Sequence, residues 1–436
     1  MKSRLQVLYL VYWGAAEPLG QSLVLPAVKR LAGLGVDLSL VTFEKSQHLE
    51  QDDLIKGIRN SLDDHGIRWM PLRYHKRPKV PSTLFDLVQG CTRSIATRLR
   101  SSPDIVHART FIGGLMGLVL APLLGARLIY HNEGFYPDEQ VDAGVWKAGS
   151  RQHVLARYLE NTMYTRADGI IALSHLAKRQ IESIPLVERR ATPVTVVPSC
   201  VELGRFPPPP NSIACDGSLR FIYVGSVGGR YELDKIGRFV AEASRRFSRV
   251  NLRVLTMSDR YIVTSTLSAA GLSSDCWSMD SVPHEAVPAE MARRHVGMHF
   301  LPQGLSDHGG SPTKVGEYWA AGLPVVVTRN AGDTTDIITS ERVGVVVNEH
   351  NETEYGRVMK DLRSLLSENG LARRCRRAAE SHYALGPACE RQLSLYYDLV
   401  SARTQSTTLA NLPELSTSKP RPNERRGEVH AGTAES

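Results

Sequence analysis

Residues 206–212 read Phe-Pro-Pro-Pro-Pro-Asn-Ser and divide the chain into two parts of similar pattern. Consecutive prolines fix their own backbone and offer no amide hydrogen, so this stretch continues neither a helix nor the interior of a sheet. On each side of it, apolar runs of strand length alternate with longer segments of helical periodicity. The proline run is therefore interpreted as a linker that follows residue 205 and joins two α/β units.

The apolar runs predict parallel sheets, because most are apolar throughout rather than alternating, as in strands covered by helices on both faces. We expect a doubly wound, Rossmann-like domain in residues 1–205 and a second one in residues 206–385. The two sheets should face each other across a cleft lined by the loops that follow their strands. The runs are Leu5–Tyr12, Val36–Phe43, Trp69–Arg73, Ile105–Ala108, Ala126–His131, Gly169–Leu173 and Val194–Pro198, then Leu219–Gly225, Leu252–Met257, Val296–Leu301, Pro324–Thr328 and Val343–Val347.

The carboxyl-terminal end of the sequence changes character after the second domain. Residues 386–402 have the pattern of a further helix, which we expect to cross back to the amino-terminal domain. Residues 403–436 are rich in Ser, Thr, Pro and charge without periodicity, and they predict a disordered tail.

Composition narrows the class of protein. Hydrophobic residues make up 42% of the 436 residues and charged residues 22%, which is typical of a globular chain with ample core. The net charge of +8 suits phosphate-bearing ligands or an anionic membrane face, although an ordinary basic surface explains it equally well. The six cysteines include no CxxC pair, a usage typical of a reduced, cytosolic protein without a zinc site.

The stretch Ser311-Pro312-Thr313-Lys314-Val315-Gly316-Glu317 has the pattern of a helix start. Ser311 is a suitable N-cap and Pro312 suits the first helical position. The free N–H groups of such a helix start, together with Lys314, form a natural site for a diphosphate. Glu317 lies on the same helical face as Thr313, where its carboxylate would accept two ribose hydroxyls. The alternative is a well-capped helix with solvated Lys and Glu.

Four stretches, taken in order, resemble retaining family-4 glycosyltransferases, which have the GT-B fold. Ser311–Pro324 is similar to the nucleotide-sugar signature of that family, and Val196–Phe206 to the junction between its domains. Ala167–Ser174 resembles one of its strands, and Phe221–Gly229 resembles the first strand and glycine loop of its donor domain. The stretches occur in the order of the family, and the resemblance as a whole covers roughly residues 4–400.

The resemblance implies how the donor is bound. Ser311, Pro312, Thr313 and Glu317, with Gly228 of the glycine loop, would bind the nucleotide-diphosphate sugar. Two features depart from the family. Gly309 stands where many members have a first glutamate, and Gly225-Ser226 replaces their Gly-Arg. The nearest cations for the diphosphate are then Arg230 and Lys314, which become catalytic candidates.

Loops of the amino-terminal domain would complete the site. In the family, the loop after the first strand, here Trp13 to Ser22 with Gly20, approaches the donor phosphates; a tight turn without a ligand is the alternative. The loop His131-Asn132-Glu133-Gly134 offers His131 or Glu133 to the acceptor hydroxyl or the transferred sugar. A basic loop, residues 73–79, suits a phosphorylated or lipid-linked acceptor or anionic headgroups, unless it is simply solvated.

The sequence is thus interpreted as that of a retaining glycosyltransferase that acts on a glycan or lipid-linked acceptor in polysaccharide or glycoconjugate assembly. We expect it in the cytoplasm, with peripheral contact at the inner face of the membrane and no nucleic-acid partner. The donor loops carry no Asp-x-Asp motif, so we expect a metal-independent site and no cofactor. The alternatives are a GT-B nucleotide-sugar epimerase or hydrolase, and a non-catalytic nucleotide-sugar-binding protein.

Overall fold

The computed structural model describes residues 4–97, 102–209, 218–229, 231–304, 306, 309–329 and 332–410. They form two parallel β-sheets flanked by helices, which confirms the α/β class and the two doubly wound units. Both sheets belong to one compact unit that ends at Val400. In the described part of the chain, no helix is both long and apolar enough to cross a bilayer.

The first sheet has the strand order β3-β2-β1-β4-β5-β6-β7. Strands β2 and β3 are added on one side of β1 and strands β4 to β7 on the other, so the order of the strands switches between β1 and β4. Its strands are β1 Gln6–Val11, β2 Asp37–Glu44, β3 Arg68–Arg73, β4 Ile105–Arg109, β5 Arg127–His131, β6 Gly169–Ala172 and β7 Val194–Val196. Its helices are a π-helical turn Gly20–Val24, α1 Leu25–Gly33, α2 Ser46–Leu49, α3 Asp52–Asp63, α4 Lys79–Thr97, α5 Phe111–Leu124, α6 Tyr136–Asp142, α7 Arg151–Arg166, α8 His175–Glu182 and α9 Pro185–Arg190.

The second sheet repeats this plan with the order β10-β9-β8-β11-β12-β13. Its strands are β8 Ser218–Val224, β9 Arg249–Leu255, β10 Trp277–Asp280, β11 Val296–His299, β12 Val325–Thr328 and β13 Gly344–Val347. Its helices are α10 Leu233–Ser244, α11 Arg260–Ala269, α12 Val287–Met291, α13 Thr313–Ala320, α14 Thr334–Glu341, α15 Glu352–Leu366 and α16 Leu371–His382. The edge strand β10 is missing from the sequence-based expectation because it is short, partly exposed and contains Ser278 and Asp280.

The last helix, α17 (Leu385–Ala410), packs on the first sheet although it follows the second. Ala388, Leu395 and Tyr396 of α17 share a core with Tyr9 and Val28 on one side of that sheet. The helix is longer than expected and extends into the range assigned to a disordered tail, because no Pro or Gly interrupts the sequence between Pro387, in the first turn, and Pro413. The rest of that range, 411–436, lies outside the described residues.

Candidate active site

Three neighbouring strands of the first sheet end side by side at the cleft. The register aligns Arg109 of β4 with Val11 of β1 and with His131 of β5. Carboxyl ends of parallel strands are where open α/β sheets bind ligands. Arg109 and His131 are nevertheless almost completely buried, with 4% and 2% of their surface exposed. The polar groups at this edge are therefore held beneath the surface of the cleft.

Arg109 holds Glu133 in place. Its Nε donates to Glu133 Oε1, and its Nη1 donates to the hydroxyl of Tyr9 at 3.3 Å. Burial opposes the charge on Arg109, but the neighbouring charge of Glu133 raises the pKa of the guanidinium above its usual value. Arg109 is thus a fixed cation that orients the Glu133 carboxylate, the more exposed partner at the cleft.

His131 lies behind this ion pair and not in the open cleft. Its Nδ1 is 3.0 Å from His107 Nε2, and its Nε2 is 3.4 Å from Glu133 Oε1. Burial, followed by the charge of Arg109, lowers the pKa of both histidines well below the usual value. Both rings are therefore neutral near pH 7. His131 thus lies behind Glu133, and Glu133 is the more exposed of the two side chains.

The same buried network reaches α17. The ring of His107 stacks on Tyr9, with ring centroids 4.2 Å apart. His107 Nδ1 lies 2.8 Å from the hydroxyl of Tyr396, which also accepts a hydrogen bond from Gln392 Nε2 at 2.5 Å. A helix from the end of the chain thereby sets the position of the His107–His131 pair.

The loop after β1 is shaped by a buried carboxylate. Glu44 accepts hydrogen bonds from the backbone N–H groups of Ala15 at 2.6 Å and Ala16 at 3.2 Å, and burial raises the pKa of this side chain. Gly20 is buried against the same loop, where a Cβ atom would lie 2.0 Å from the carbonyl oxygen of Gly14. Close packing of the chain accounts for this glycine without a ligand.

On the other side of the cleft, α13 begins one residue later than expected for a Ser311 cap. Pro312 occupies the N-cap position, Thr313 is the first helical residue, and no side chain caps the helix. The expectation that Ser311 caps the helix is therefore wrong. Its hydroxyl instead accepts a hydrogen bond from Ser199 N at 3.1 Å, which joins the domain junction to this loop.

Lys314, in the first turn of α13, forms an ion pair with Glu317 one turn further on. Lys314 Nζ lies 2.7 Å from Glu317 Oε2, and the carboxylate side chain is only 3% exposed. His284, in a 3₁₀ turn after β10, is close enough that the charges of both groups act on it, although burial is the main reason that its pKa is lowered. His284 also lines a cavity of about 870 Å³ that extends to Leu25 of α1.

The glycine loop after β8 is open. Gly228 is exposed and has φ of +90°, a backbone conformation that favours glycine, and nothing within 4 Å would meet a Cβ atom there. Space for a ligand is therefore present beside it. Arg230, the other expected cation, lies outside the described residues.

Polar contacts hold the two sides of the cleft together. Asp142 accepts from Ser306 N at 2.8 Å and from Ser306 Oγ at 2.7 Å. Asp333 accepts from the backbone N–H of His175 at 2.7 Å, at the start of α8. This contact borders a second cavity, of about 420 Å³, between the two sheets.

Gly309 is part of the same closure, and its contacts explain the missing first glutamate. A Cβ atom on Gly309 would lie 3.0 Å from Gly134 Cα and 3.0 Å from Phe135 N. Backbone atoms yield less easily than a flexible side chain does, so a side chain at position 309 would require the two loops to shift relative to each other. The space that a side chain at position 309 would need is therefore occupied by the backbone of the loop that carries Glu133.

Comparison with known proteins agrees with this arrangement. Residues 22–200 match the profile of the glycosyl transferase 4-like domain family. The fold is similar to that of sucrose-phosphate synthase from Thermosynechococcus elongatus, with 16% identity and a TM-score of 0.66 over 92% of this chain and 100% of that one. It is also similar to Anabaena HepE in complex with UDP, with 12% identity and a TM-score of 0.58 over 94% and 100% of the two chains. A putative UDP-N-acetylglucosamine 2-epimerase from Listeria monocytogenes has 15% identity and a TM-score of 0.57 over 93% and 98%.

No match was found among curated protein sequences. The structural neighbours have such low identity that they establish the fold alone, whereas the family profile matches the sequence of the first-sheet domain. The class is therefore a glycosyltransferase with the GT-B fold. More particularly, residues 22–200, which are less than half of the chain, match the glycosyl transferase 4-like domain, in agreement with the glycosyltransferase resemblance of the four sequence stretches.

Proposed function

We propose that this enzyme transfers a sugar from a nucleotide-diphosphate donor to an acceptor hydroxyl with retention of the anomeric configuration. The observation that carries the proposal is the Lys314–Glu317 pair at the uncapped start of α13, within the GT-B fold. HepE, a structural neighbour, was solved in complex with UDP, which supports a nucleoside diphosphate as the donor's leaving group. We place the reaction in polysaccharide or glycoconjugate assembly, at the cytoplasmic side of a membrane, with a glycan or lipid-linked acceptor.

The start of α13 supplies what a sugar nucleotide needs. The first N–H groups of a helix have no partner within it, and the helix dipole makes this end positive. The diphosphate is bound there, with Lys314 turning its Nζ from Glu317 toward a phosphate oxygen. The buried carboxylate of Glu317 then accepts hydrogen bonds from the two ribose hydroxyls, and these bonds replace its ion pair with Lys314.

The chemistry requires no nucleophile from the protein. The bond between the anomeric carbon and the phosphate oxygen breaks, while the acceptor oxygen forms a bond to the same face of that carbon. The acceptor proton goes to the departing phosphate oxygen, so the products are the glycoside and the nucleoside diphosphate. Lys314, the α13 dipole and Arg230 stabilise the growing negative charge, in place of a metal ion.

On the acceptor side, we assign the contact with substrate to Glu133 and a supporting role to His131. Glu133 is held by Arg109 with its carboxylate at the cleft, where it accepts a hydrogen bond from the acceptor or from the transferred sugar. His131 is buried behind Glu133 and neutral, so it positions the loop.

The test is calorimetric titration with UDP, GDP and ADP, followed by mass spectrometry of products formed from the matching sugar nucleotides. Glu317→Gln weakens binding of the preferred nucleoside diphosphate at least about tenfold, since hydrogen bonds to a charged group are worth about 1.5–3 kcal/mol. Glu354→Gln is the matched control, because Glu354 pairs with Arg357 on α15, away from the cleft. Equal affinity of Glu317→Gln and wild type would show that the ribose is bound elsewhere.

An epimerase or hydrolase is the second candidate, since one neighbour is a putative 2-epimerase. Incubation of the sugar nucleotide without acceptor separates these reactions: free sugar or an epimerised nucleotide would contradict glycosyl transfer. Full activity after treatment with EDTA is expected, and a loss that Mg²⁺ restores would contradict metal independence.

A further inference from the structure

The helices α4, α5 and α7 cover one side of the first sheet and leave a large apolar area facing outward. They lie side by side, with α4 against α5 and α5 against α7. Their inner residues share a single core with that side of the sheet. We call their outward surface the α4–α5–α7 face; it consists of Val80, Leu84, Phe85, Val88, Val119, Leu123, Val154, Leu155 and Tyr158.

These apolar side chains form rows along the outward sides of the helices. Val80, Leu84 and Val88 follow one another at intervals of four residues, so they lie in one row along α4, and each is more than half exposed. Val119 and Leu123 have the same spacing on α5. Helix α5 contains no charged residue, so it presents apolar side chains both to the sheet and outward. Contiguous exposed apolar surface of this kind marks an interaction site.

The charges of the same helices have one sign on the outside. Asp86 is the single acidic residue of α4 and Glu160 that of α7, and both are completely buried. Asp86 is bonded inward to Tyr12, whose hydroxyl is 2.8 Å away. The cations Arg93 and Arg151, by contrast, are exposed. The three helices therefore expose apolar side chains and cations, and they expose no carboxylate.

We propose that the α4–α5–α7 face docks on an anionic phospholipid bilayer. Apolar side chains enter the interface while Arg and Lys contact the phosphates, as in membrane-surface helices. A second copy of the chain fits less well, because the exposed charges of these helices are positive in both copies and find no acidic partner on the same helices.

The orientation suits an acceptor that sits in the membrane. The loop from β3 to α4, with exposed Lys76 and Arg77, meets the loop after β1 through Tyr74 and Tyr12, whose rings are 5.6 Å apart. Docking thus brings the edge of the cleft next to the headgroups. This docking does not depend on the proposed reaction, so binding of vesicles without donor or acceptor tests it separately.

The experiment is sedimentation of the full-length protein with vesicles of phosphatidylcholine and phosphatidylglycerol, compared with phosphatidylcholine alone. Wild type binds the anionic vesicles, and binding falls as salt rises. Arg77→Gln/Arg151→Gln weakens binding roughly 25-fold, at about fivefold for each cation removed. Leu84→Ser/Phe85→Ser/Val88→Ser weakens it at least about tenfold.

The matched control is Met257→Ser/Tyr261→Ser/Ile262→Ser, which removes three exposed apolar side chains beside the second sheet and retains binding. Circular dichroism verifies that each variant is folded; the charge variant alters only exposed side chains and provides the test if the apolar one misfolds. Equal binding to neutral vesicles, an equal loss in the control, or a wild-type dimer that the α4 substitutions dissociate would each overturn the proposal.

Discussion

The hydroxyl of Tyr396 and Nδ1 of His107 lie 2.8 Å apart, although 289 residues separate them in the sequence. This contact joins the last helix to a histidine that itself contacts His131 at the edge of the cleft. The candidate acceptor side is therefore supported from the end of the chain.

Tyr396→Phe removes that hydroxyl and leaves a buried ring nitrogen and a buried amide without their partner. We expect the free energy of unfolding to fall by about 1–3 kcal/mol, the usual cost of an unsatisfied buried polar group. Tyr397→Phe is the control, because Tyr397 is half exposed next to it. Denaturant unfolding of both variants measures the difference, and equal stabilities would mean that the Tyr396–His107 contact contributes nothing.

Acid should destabilise the protein through His107 and His131. Their pKa values in the folded state lie well below the value of about 6.5 of an unfolded chain, so the unfolded state binds more protons below that pH. The free energy of unfolding then falls by about 1.4 kcal/mol per pH unit for each histidine as the pH drops below about 6.5. Urea titrations at pH 5.5 and 7.5, about one unit on either side of this pKa, measure the free energy of unfolding. Between these two pH values it should fall less in His131→Gln than in wild type. An identical fall in wild type and variant would exclude His131 as a cause.

Restoring the glutamate that the family places at position 309 should harm the enzyme. Gly309→Glu places a Cβ atom against the backbone of Gly134 and Phe135, and overpacking of this kind costs about 1–3 kcal/mol. Gly204→Glu is the control, since nothing within 4 Å would meet its Cβ atom. Thermal unfolding and transferase assays compare the two variants. Higher activity in Gly309→Glu would show that the loops separate without cost.

The contact of Asp333 with the start of α8 should keep the cleft closed. Asp333→Ala removes an acceptor for the N–H groups of His175 and Leu176 at the start of α8. Loss of such an acceptor at a helix start lowers the free energy of unfolding by about 1 kcal/mol. We expect a larger radius of gyration in small-angle scattering than for wild type. Asp336→Ala, an exposed position on α14, is the control and should leave the scattering unchanged.

The sheets could be predicted because burial on both faces requires continuous apolar runs, such as Ile105–Ala108 and Val343–Val347. Strand β10 could not, since a half-exposed edge strand has no such requirement. The start of α13 was misplaced because Ser311 suits a cap in isolation, whereas the domain junction uses its hydroxyl. The pattern also pointed to Glu317 but not to its pairing with Lys314, which depends on the burial of the carboxylate.

Arg109 is the main residue that the sequence-based prediction missed. A single arginine at the end of a strand is common, and its partners Tyr9 and Glu133 come from different strands and loops. One signal was present: a charged residue directly after an apolar strand and before Thr110, which caps α5 with a positive φ. A charge in that position is costly unless it is paired.

The placement of α17 has a consequence for biosynthesis. Leu395 and Leu399 pack against Gly169 of β6, and Cys389 lies against the backbone of Ala27, so the first sheet lacks part of its covering until these residues are made. The ribosome releases the chain from its amino terminus. The domain of the first sheet therefore keeps apolar surface uncovered while the domain of the second sheet is synthesised. Maturation of the first-sheet domain thus depends on synthesis of α17, and chains that stop before α17 expose this apolar surface to chaperones.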